Sequence, residues 1–247
     1  MTRILGISLS KGGVGKTTTA VNLAAGLVQA GRRVLLIDTD TQGQTASALG
    51  VVPEVGLHDL IMGEVEPSQA LLQVRENFFL LAGGQSLARL KRFISQVEYE
   101  GEYTLAKAMK PLDPYFHYII VDTAPSWDVL NVNVLFYAHE ILCPVSLEVL
   151  AVQGLFDFVG RVAAIGKRRD IRLKYVLPTS LDRRVAQTNE ILEQLQQRFD
   201  GLMCDPIRYN VRLSEAPAHG QHIFEYAPDS KGAEDYKALT ERILADE

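Results

Sequence analysis

The run Ser10-Lys11-Gly12-Gly13-Val14-Gly15-Lys16-Thr17-Thr18-Thr19 constrains the fold more than any other stretch of the chain. Before it lies the apolar run Ile4–Leu9, which reads as a buried strand. After it, Thr17–Ala30 has the pattern of a helix and stops at Gly31. A glycine-rich turn between a strand and a helix N-terminus is the setting of a phosphate-binding loop. Its glycines let backbone N–H groups converge on phosphate oxygens without Cβ clashes. The helix N-terminus adds unpaired donors and the positive end of a dipole. Lys16 supplies a cation for the β- and γ-phosphates, and the Thr17 hydroxyl is an oxygen ligand suited to Mg2+. Gly12, Gly13, Val14, Gly15, Lys16, Thr17 and Thr18 are therefore expected to bind a nucleotide.

Short apolar runs and helical patterns alternate along the rest of the chain. Further strands are expected at Val34–Ile37, Phe78–Leu81, Tyr118–Val121, Ile141–Val145 and Leu173–Leu177, with a short one near Leu202–Cys204. Helices are expected at Ser68–Val74, Gln85–Gln96, Tyr103–Lys110, Val129–Tyr137, Val152–Gly166, Ala186–Arg198 and Ala233–Ala245. Continuously apolar strands spaced by helices predict an α/β fold, a doubly wound, mostly parallel sheet covered on both faces. With 247 residues, 47% of them hydrophobic, the chain can bury such a core. It has no repeat, low-complexity tract or Pro/Ser linker, so residues 1–247 are read as a single domain.

Two strands end in carboxylates, and strand carboxyl ends are where open α/β sheets bind ligands. In Val34-Leu-Leu-Ile-Asp38-Thr-Asp40-Thr-Gln42-Gly43 the two acids are two residues apart, so on an extended chain they face one side. In His117-Tyr-Ile-Ile-Val-Asp122-Thr-Ala-Pro125-Ser126 an apolar strand ends at Asp122, a Walker B pattern whose carboxylate would hold Mg2+ through water.

The phosphate loop departs from the plain G-x-x-x-x-G-K-[ST] form. Ser10 stands where the first glycine would be, and Lys11 follows it. Lys-Gly-Gly-Val-Gly-Lys-Thr-Thr resembles the deviant Walker A loop of the ParA/MinD ATPases. The resemblance runs through Asp38-x-Asp40-x-Gln42-Gly43, Asp122-Thr-Ala-Pro125, Pro144-Val145-x-x-Glu148, Asn210-Val-Arg212-Leu-Ser-Glu215-Ala-Pro217 and Ser230-Lys-Gly232. It implies a P-loop NTPase fold of the deviant Walker A type, with ATP and Mg2+ as cofactors. It also implies that Lys11 reaches across a homodimer that sandwiches ATP, to the partner's phosphates. Lys11, Lys16 and Asp40 become the catalytic residues, Asp40 by positioning the attacking water. Thr17, Asp38 and Asp122 become the metal residues, and Asn210 the adenine contact. Arg208 stands where family members usually have proline.

The chain resembles the ParA/Soj branch. That likeness implies a cytoplasmic, nucleoid-associated ATPase that binds DNA non-specifically as the ATP dimer. A ParB-like or adaptor protein would stimulate hydrolysis and release it, segregating DNA or positioning a cargo. The net charge of −5 is uneven: Arg161–Arg184 holds eight basic residues against Asp170 and Asp182, or +6, and the remainder 17 basic against 28 acidic, or −11. A basic cluster on an acidic protein suits salt-sensitive phosphate contacts. The expected DNA contacts are Lys167, Arg168, Arg169, Arg183, Arg184, Arg208, Arg212 and Lys231. The loop starts at residue 10, leaving no room before it for a helix-turn-helix extension, so site-specific operator binding is not expected.

Two other readings share the fold. One is an ATP-dependent metabolic enzyme of the dethiobiotin synthetase or cobyrinate amidase type; such proteins usually lack a lysine at position 11. The other is a MinD-like ATPase that works on a membrane. Membrane attachment would need a basic amphipathic tail, and Lys237–Glu247 ends acidic. The most apolar region, 118–159, is broken by Asp122, Asp128, Glu140 and Glu148, so neither a transmembrane helix nor a membrane partner is expected. Cys143 and Cys204 lack disulfide or cluster spacing and read as core thiols, in keeping with a reducing compartment. Trp127 fits either the core or a dimer face.

Overall fold

A computed structural model describes residues 2–247. The elements run β1 (Arg3–Ile7), α1 (Lys16–Gln29), β2 (Val34–Asp38), α2 (Gln44–Ala48), α3 (Leu57–Met62), α4 (Pro67–Ala70), β3 (Leu72–Arg75), β4 (Phe78–Leu81) and α5 (Leu87–Gln96). They continue α6 (Thr104–Met109), β5 (Tyr118–Asp122), α7 (Val129–Tyr137), β6 (Glu140–Ser146), α8 (Val149–Gly166), β7 (Arg172–Thr179), α9 (Ala186–Arg198), α10 (Val211–Glu215), α11 (Ile223–Tyr226) and α12 (Lys231–Ala245). The strands form one sheet in the order β3-β4-β2-β5-β1-β6-β7. All neighbours pair in parallel except β3, which runs antiparallel to β4 at the edge.

Alternation along each strand builds two cores, one per face. Leu5, Ile7, Val34, Leu36 and Ile120 pack with α1 and α12. Ile4, Leu35, Ile37, Ile119 and Val121 pack with α5 to α9. Both faces are thus covered, which explains why the strands read as unbroken apolar runs. The order in which the chain adds strands reverses about β1, with β5 on one side and β6 on the other. Ligands bind at the carboxyl edge of such a switch point.

Two expectations are corrected. Ser68–Val74 is not a helix: a single turn at Pro67–Ala70 gives way to β3. Glu76 and Asn77 close a tight hairpin to β4, with Asn77 at a left-handed φ of 57°, and the apolar Leu72 and Val74 alternate as an edge strand does. Leu202–Cys204 is less than a strand. It adds one parallel bridge, between Met203 and Val176. Helix α8 meets the length and apolarity of a membrane span, with a mean hydropathy of 1.5. It carries Asp157 and Arg161 and buries Ala151, Leu155, Phe158 and Val162 against the sheet.

Candidate functional site

The phosphate loop connects the carboxyl end of β1 to α1. Gly13 and Gly15 have φ of 76° and 85°, which L side chains rarely adopt, and Gly15 caps the helix. The Lys16 ammonium donates to the carbonyl of Lys11 at 2.7 Å. The Thr179 hydroxyl, at the end of β7, donates to the carbonyl of Val14 at 3.0 Å and fixes the loop from the other side. Lys11 is half-buried and makes no ion pair among the described residues.

β2 and β5 are adjacent and in register, so Asp38 sits beside Asp122. Both are buried. The Thr17 hydroxyl donates to Asp122 Oδ2 at 2.7 Å, and the Thr45 hydroxyl reaches the same oxygen at 3.4 Å. Asp38 accepts backbone N–H bonds from Asp40 at 2.8 Å and Thr45 at 3.2 Å. The other carboxylate oxygen of Asp122, Oδ1, is buried with no hydrogen-bond partner among the described residues. An orphaned carboxylate oxygen beside a hydroxyl and a second carboxylate is an all-oxygen donor set, and it fits Mg2+.

Burial dominates the electrostatics. It pushes Asp122 up to about 7, with Asp38 adding repulsion and Thr17 and Lys16 opposing the rise. It also raises Asp38, against hydrogen bonds from Asp40 and Thr45. Burial lowers Lys16, while Asp122 and Asp40 pull it back up. Asp122 therefore holds a proton in the folded chain up to about pH 7, against 3.8 ordinarily. Between those values the folded state binds more protons, so this group removes stability as pH rises through the window. The unfolding free energy of Asp122→Asn, minus that of the wild type, should grow with pH by on the order of 1.4 kcal/mol per unit and level off above pH 7. Urea denaturation of the nucleotide-free protein at intervals from about pH 5 to 8 checks this; a gap that does not change with pH contradicts it.

A cavity of about 380 Å3 opens over the loop, lined by Gly13, Lys16, Thr17, Asp40, Gln42 and Pro125 among others. A second, of about 290 Å3, shares Thr17, Thr18 and Gln44 and extends between α1, α2 and the α10 region, where Val21, Leu213 and Pro217 make it more apolar. Asn210 is not among the lining residues of either cavity; it caps α10 by accepting from the Arg212 N–H. A larger cavity, about 610 Å3, lies at the opposite end of the sheet around Arg3, His117, Glu140 and Glu247, away from these groups.

Three contributors escape a motif reading. Thr45 and Thr179 make the contacts given above. Gly83, just past β4, lies so close to β2 that a Cβ there would fall 2.7 Å from the backbone oxygens of both Asp38 and Asp40. The Gly83-Gly84 pair at a strand's carboxyl end was the available signal. The Gly84 N–H donates to the Asp40 carbonyl at 3.0 Å, which sets the loop that carries the Asp40 side chain.

The basic run Arg161–Arg184 is not one patch, and that expectation is corrected. β7 spans eight residues between its halves, so at ~3.3 Å per residue its ends lie about 23 Å apart. Lys167, Arg168 and Arg169 lie before β7, at the end of the sheet away from the phosphate loop, and Arg169 donates to the Tyr137 carbonyl. Arg172 and Lys174 face Glu140 there, at 3.5 and 3.7 Å. Arg183 and Arg184 follow the other end of β7, on the loop side. The Arg208 guanidinium is held by Asp235 and Glu234 and clamps its loop to α12. Arg212 is more than half exposed and pairs with Glu215 at 2.9 Å; Lys231 is exposed at the start of α12.

Residues 2–175 match the family model of an AAA domain. The chain is 36% identical to the chromosome-partitioning ATPase Soj of Thermus thermophilus, over 98% of this chain and 96% of that one. It is 35% identical to the sporulation initiation inhibitor protein Soj of Bacillus subtilis, over 99% of both. Among solved structures it is similar to a cobyrinic acid a,c-diamide synthase from Mycobacterium smegmatis with bound ADP and magnesium. There the TM-score is 0.84 and the identity 33%, over 99% of this chain and 94% of that one.

Proposed function

Because this chain belongs to the ParA/Soj family of partition ATPases, we propose that it is an ATP-driven dimer. In this reading it binds DNA non-specifically and lets go when a ParB-like or adaptor protein speeds hydrolysis. One observation carries the reading: among the described residues, five of the twelve exposed large apolar residues lie at the same edge of the sheet as the phosphate loop. Val149, Leu150, Val185, Tyr209 and Val211 are 47–64% exposed, and they lie beyond the carboxyl ends of β6 and β7, the edge that carries the loop. Large apolar side chains gathered at the rim of a nucleotide site suit a second protomer closing over it.

Within that dimer the loop N–H groups and Lys16 hold the phosphates. Thr17, Asp122 and Asp38 would hold Mg2+, which would supply positive charge to offset that of the phosphates. Asp40, anchored through its own backbone, positions water. Lys11 of each protomer meets the other's phosphates, and this second cation offsets the charge that develops in phosphoryl transfer. Nothing here needs a strong base, because phosphoryl transfer is mostly positioning and charge stabilisation.

DNA contact falls to Arg183, Arg184, Arg212 and Lys231. The Leu181–Arg208 bridge and the Arg208 bond to the Lys231 carbonyl draw these segments together at the carboxyl end of β7. A dimer doubles the cluster, so ATP raises affinity by valency. Gel shifts of a non-specific duplex should show binding at least about 10-fold tighter with ATP than with ADP, and steep weakening between about 50 and 200 mM salt. The double substitution Arg183→Ala/Arg184→Ala should remove most of the gain. DNA binding that is absent, or the same with either nucleotide, would favour the metabolic-enzyme reading, which draws on the likeness to the cobyrinic acid a,c-diamide synthase.

A further inference from the structure

A groove of about 460 Å3 lies outside the nucleotide site, between the end of α5 and the start of α7. Its floor is apolar, made by Ile94, Val97, Val129 and Val132. Trp127 stands at one side, 37% exposed, and Tyr99 lies on the segment that forms the other, 83% exposed. Four carboxylates rim it: Glu98, Glu100, Glu102 and Asp128. Lys107 pairs with Glu100 and Lys91 with Asp128, both at 2.7 Å. Glu98 and Glu102 form no ion pair among the described residues. Trp127 is held edge-on against Phe158, with the Arg161 guanidinium 4.5 Å from its ring. It follows Pro125, which lines the phosphate cavity, by two residues.

We propose that this groove seats a basic segment of the activating partner, with an apolar side chain against Trp127 and lysines or arginines facing Glu98 and Glu102. The inference rests on the partition-ATPase reading and adds to it a place for the partner. Charge complementarity selects the occupant. DNA is repelled by the acidic rim, and a purely apolar helix would leave the unpaired glutamates facing nothing. Partly exposed aromatic side chains beside a polar rim are common anchors of a protein interface. The position also gives the occupant a short path to the site, since Trp127 and Asp128 continue directly from the loop Asp122–Ser126.

The chain has one tryptophan, so fluorescence excited beyond tyrosine absorption comes from Trp127, at the side of the groove. The probe is a synthetic peptide of about twelve residues with four lysines around two leucines, added to the full-length protein and followed by Trp127 emission and by anisotropy of a labelled copy. The inference predicts saturable binding that shifts the emission, weakened about 10-fold or more by Glu98→Lys/Glu102→Lys. The control Glu190→Lys/Glu193→Lys, on the exposed face of α9, makes the same change in net charge and should leave affinity within about 2-fold. The inference is overturned by no binding, by equal weakening by both double variants, or by binding without an emission shift. Loss of ATP-dependent self-association in the groove variant would make the groove a face for a second copy instead, which also overturns it. ATP turnover and ATP-dependent DNA binding of the wild type are measured alongside. If both are absent, the partition reading fails; if both are present and the peptide does not seat, only the groove assignment fails.

Discussion

Asp40→Ala is expected to lower ATP turnover by about 100-fold while the protein still loads ATP and stays associated as a dimer. The side chain can be removed without dismantling its surroundings. The Asp40 N–H donates to Asp38, and its carbonyl accepts from Gly43 and Gly84. None of these contacts uses the carboxylate, whose one hydrogen bond among the described residues is accepted from the Gln42 N–H at 3.0 Å. The loop therefore keeps its path, and Lys16, Thr17 and Asp122 are untouched. What is lost is the group facing the phosphate cavity that can hold a water. Phosphate release and light scattering with ATP check both halves. A monomer in ATP, or turnover near the wild-type rate, contradicts the role given to Asp40.

Lys11→Ala is expected to do the reverse: ATP affinity within several-fold of wild type, no dimer, and turnover down by about 1,000-fold. Lys16 is bonded to the Lys11 carbonyl, not its side chain, so truncation leaves the loop and its nearest cation in place. The Lys11 ammonium has no carboxylate partner among the described residues, so its loss costs the monomer little. A charge that matters only when a second protomer approaches should vanish from the dimer and the rate together. Equilibrium nucleotide binding, sizing and phosphate release separate these effects. A Lys11→Ala dimer that hydrolyses ATP normally would remove the basis for contact across the dimer.

The phosphate loop, β2 and β5 were legible because each is a local signal: an apolar run, then glycines or a carboxylate, at a fixed offset. Thr45, Thr179 and Gly83 were not, because their importance lies in contacts between separate strands. Gly83 matters only because β4 lies against β2, and nothing in residues 78–84 states that neighbour. The edge strand β3 was missed for a different reason. Leu71, Leu72 and Val74 satisfy a helical and an alternating pattern equally over so short a span, and the Asn77 turn decides between them. The basic run misled because a count along the chain has no direction in space. A strand of eight residues carried one half of it to the far end of the sheet.

The central claim is that ATP, and not ADP, brings two copies of this chain together over the phosphate loop. Light scattering on the wild-type protein with Mg2+ and each nucleotide tests it most directly. The account predicts twice the chain mass of 27.3 kDa with ATP and a single chain with ADP. One mass under both conditions, whether monomer or dimer, would contradict it.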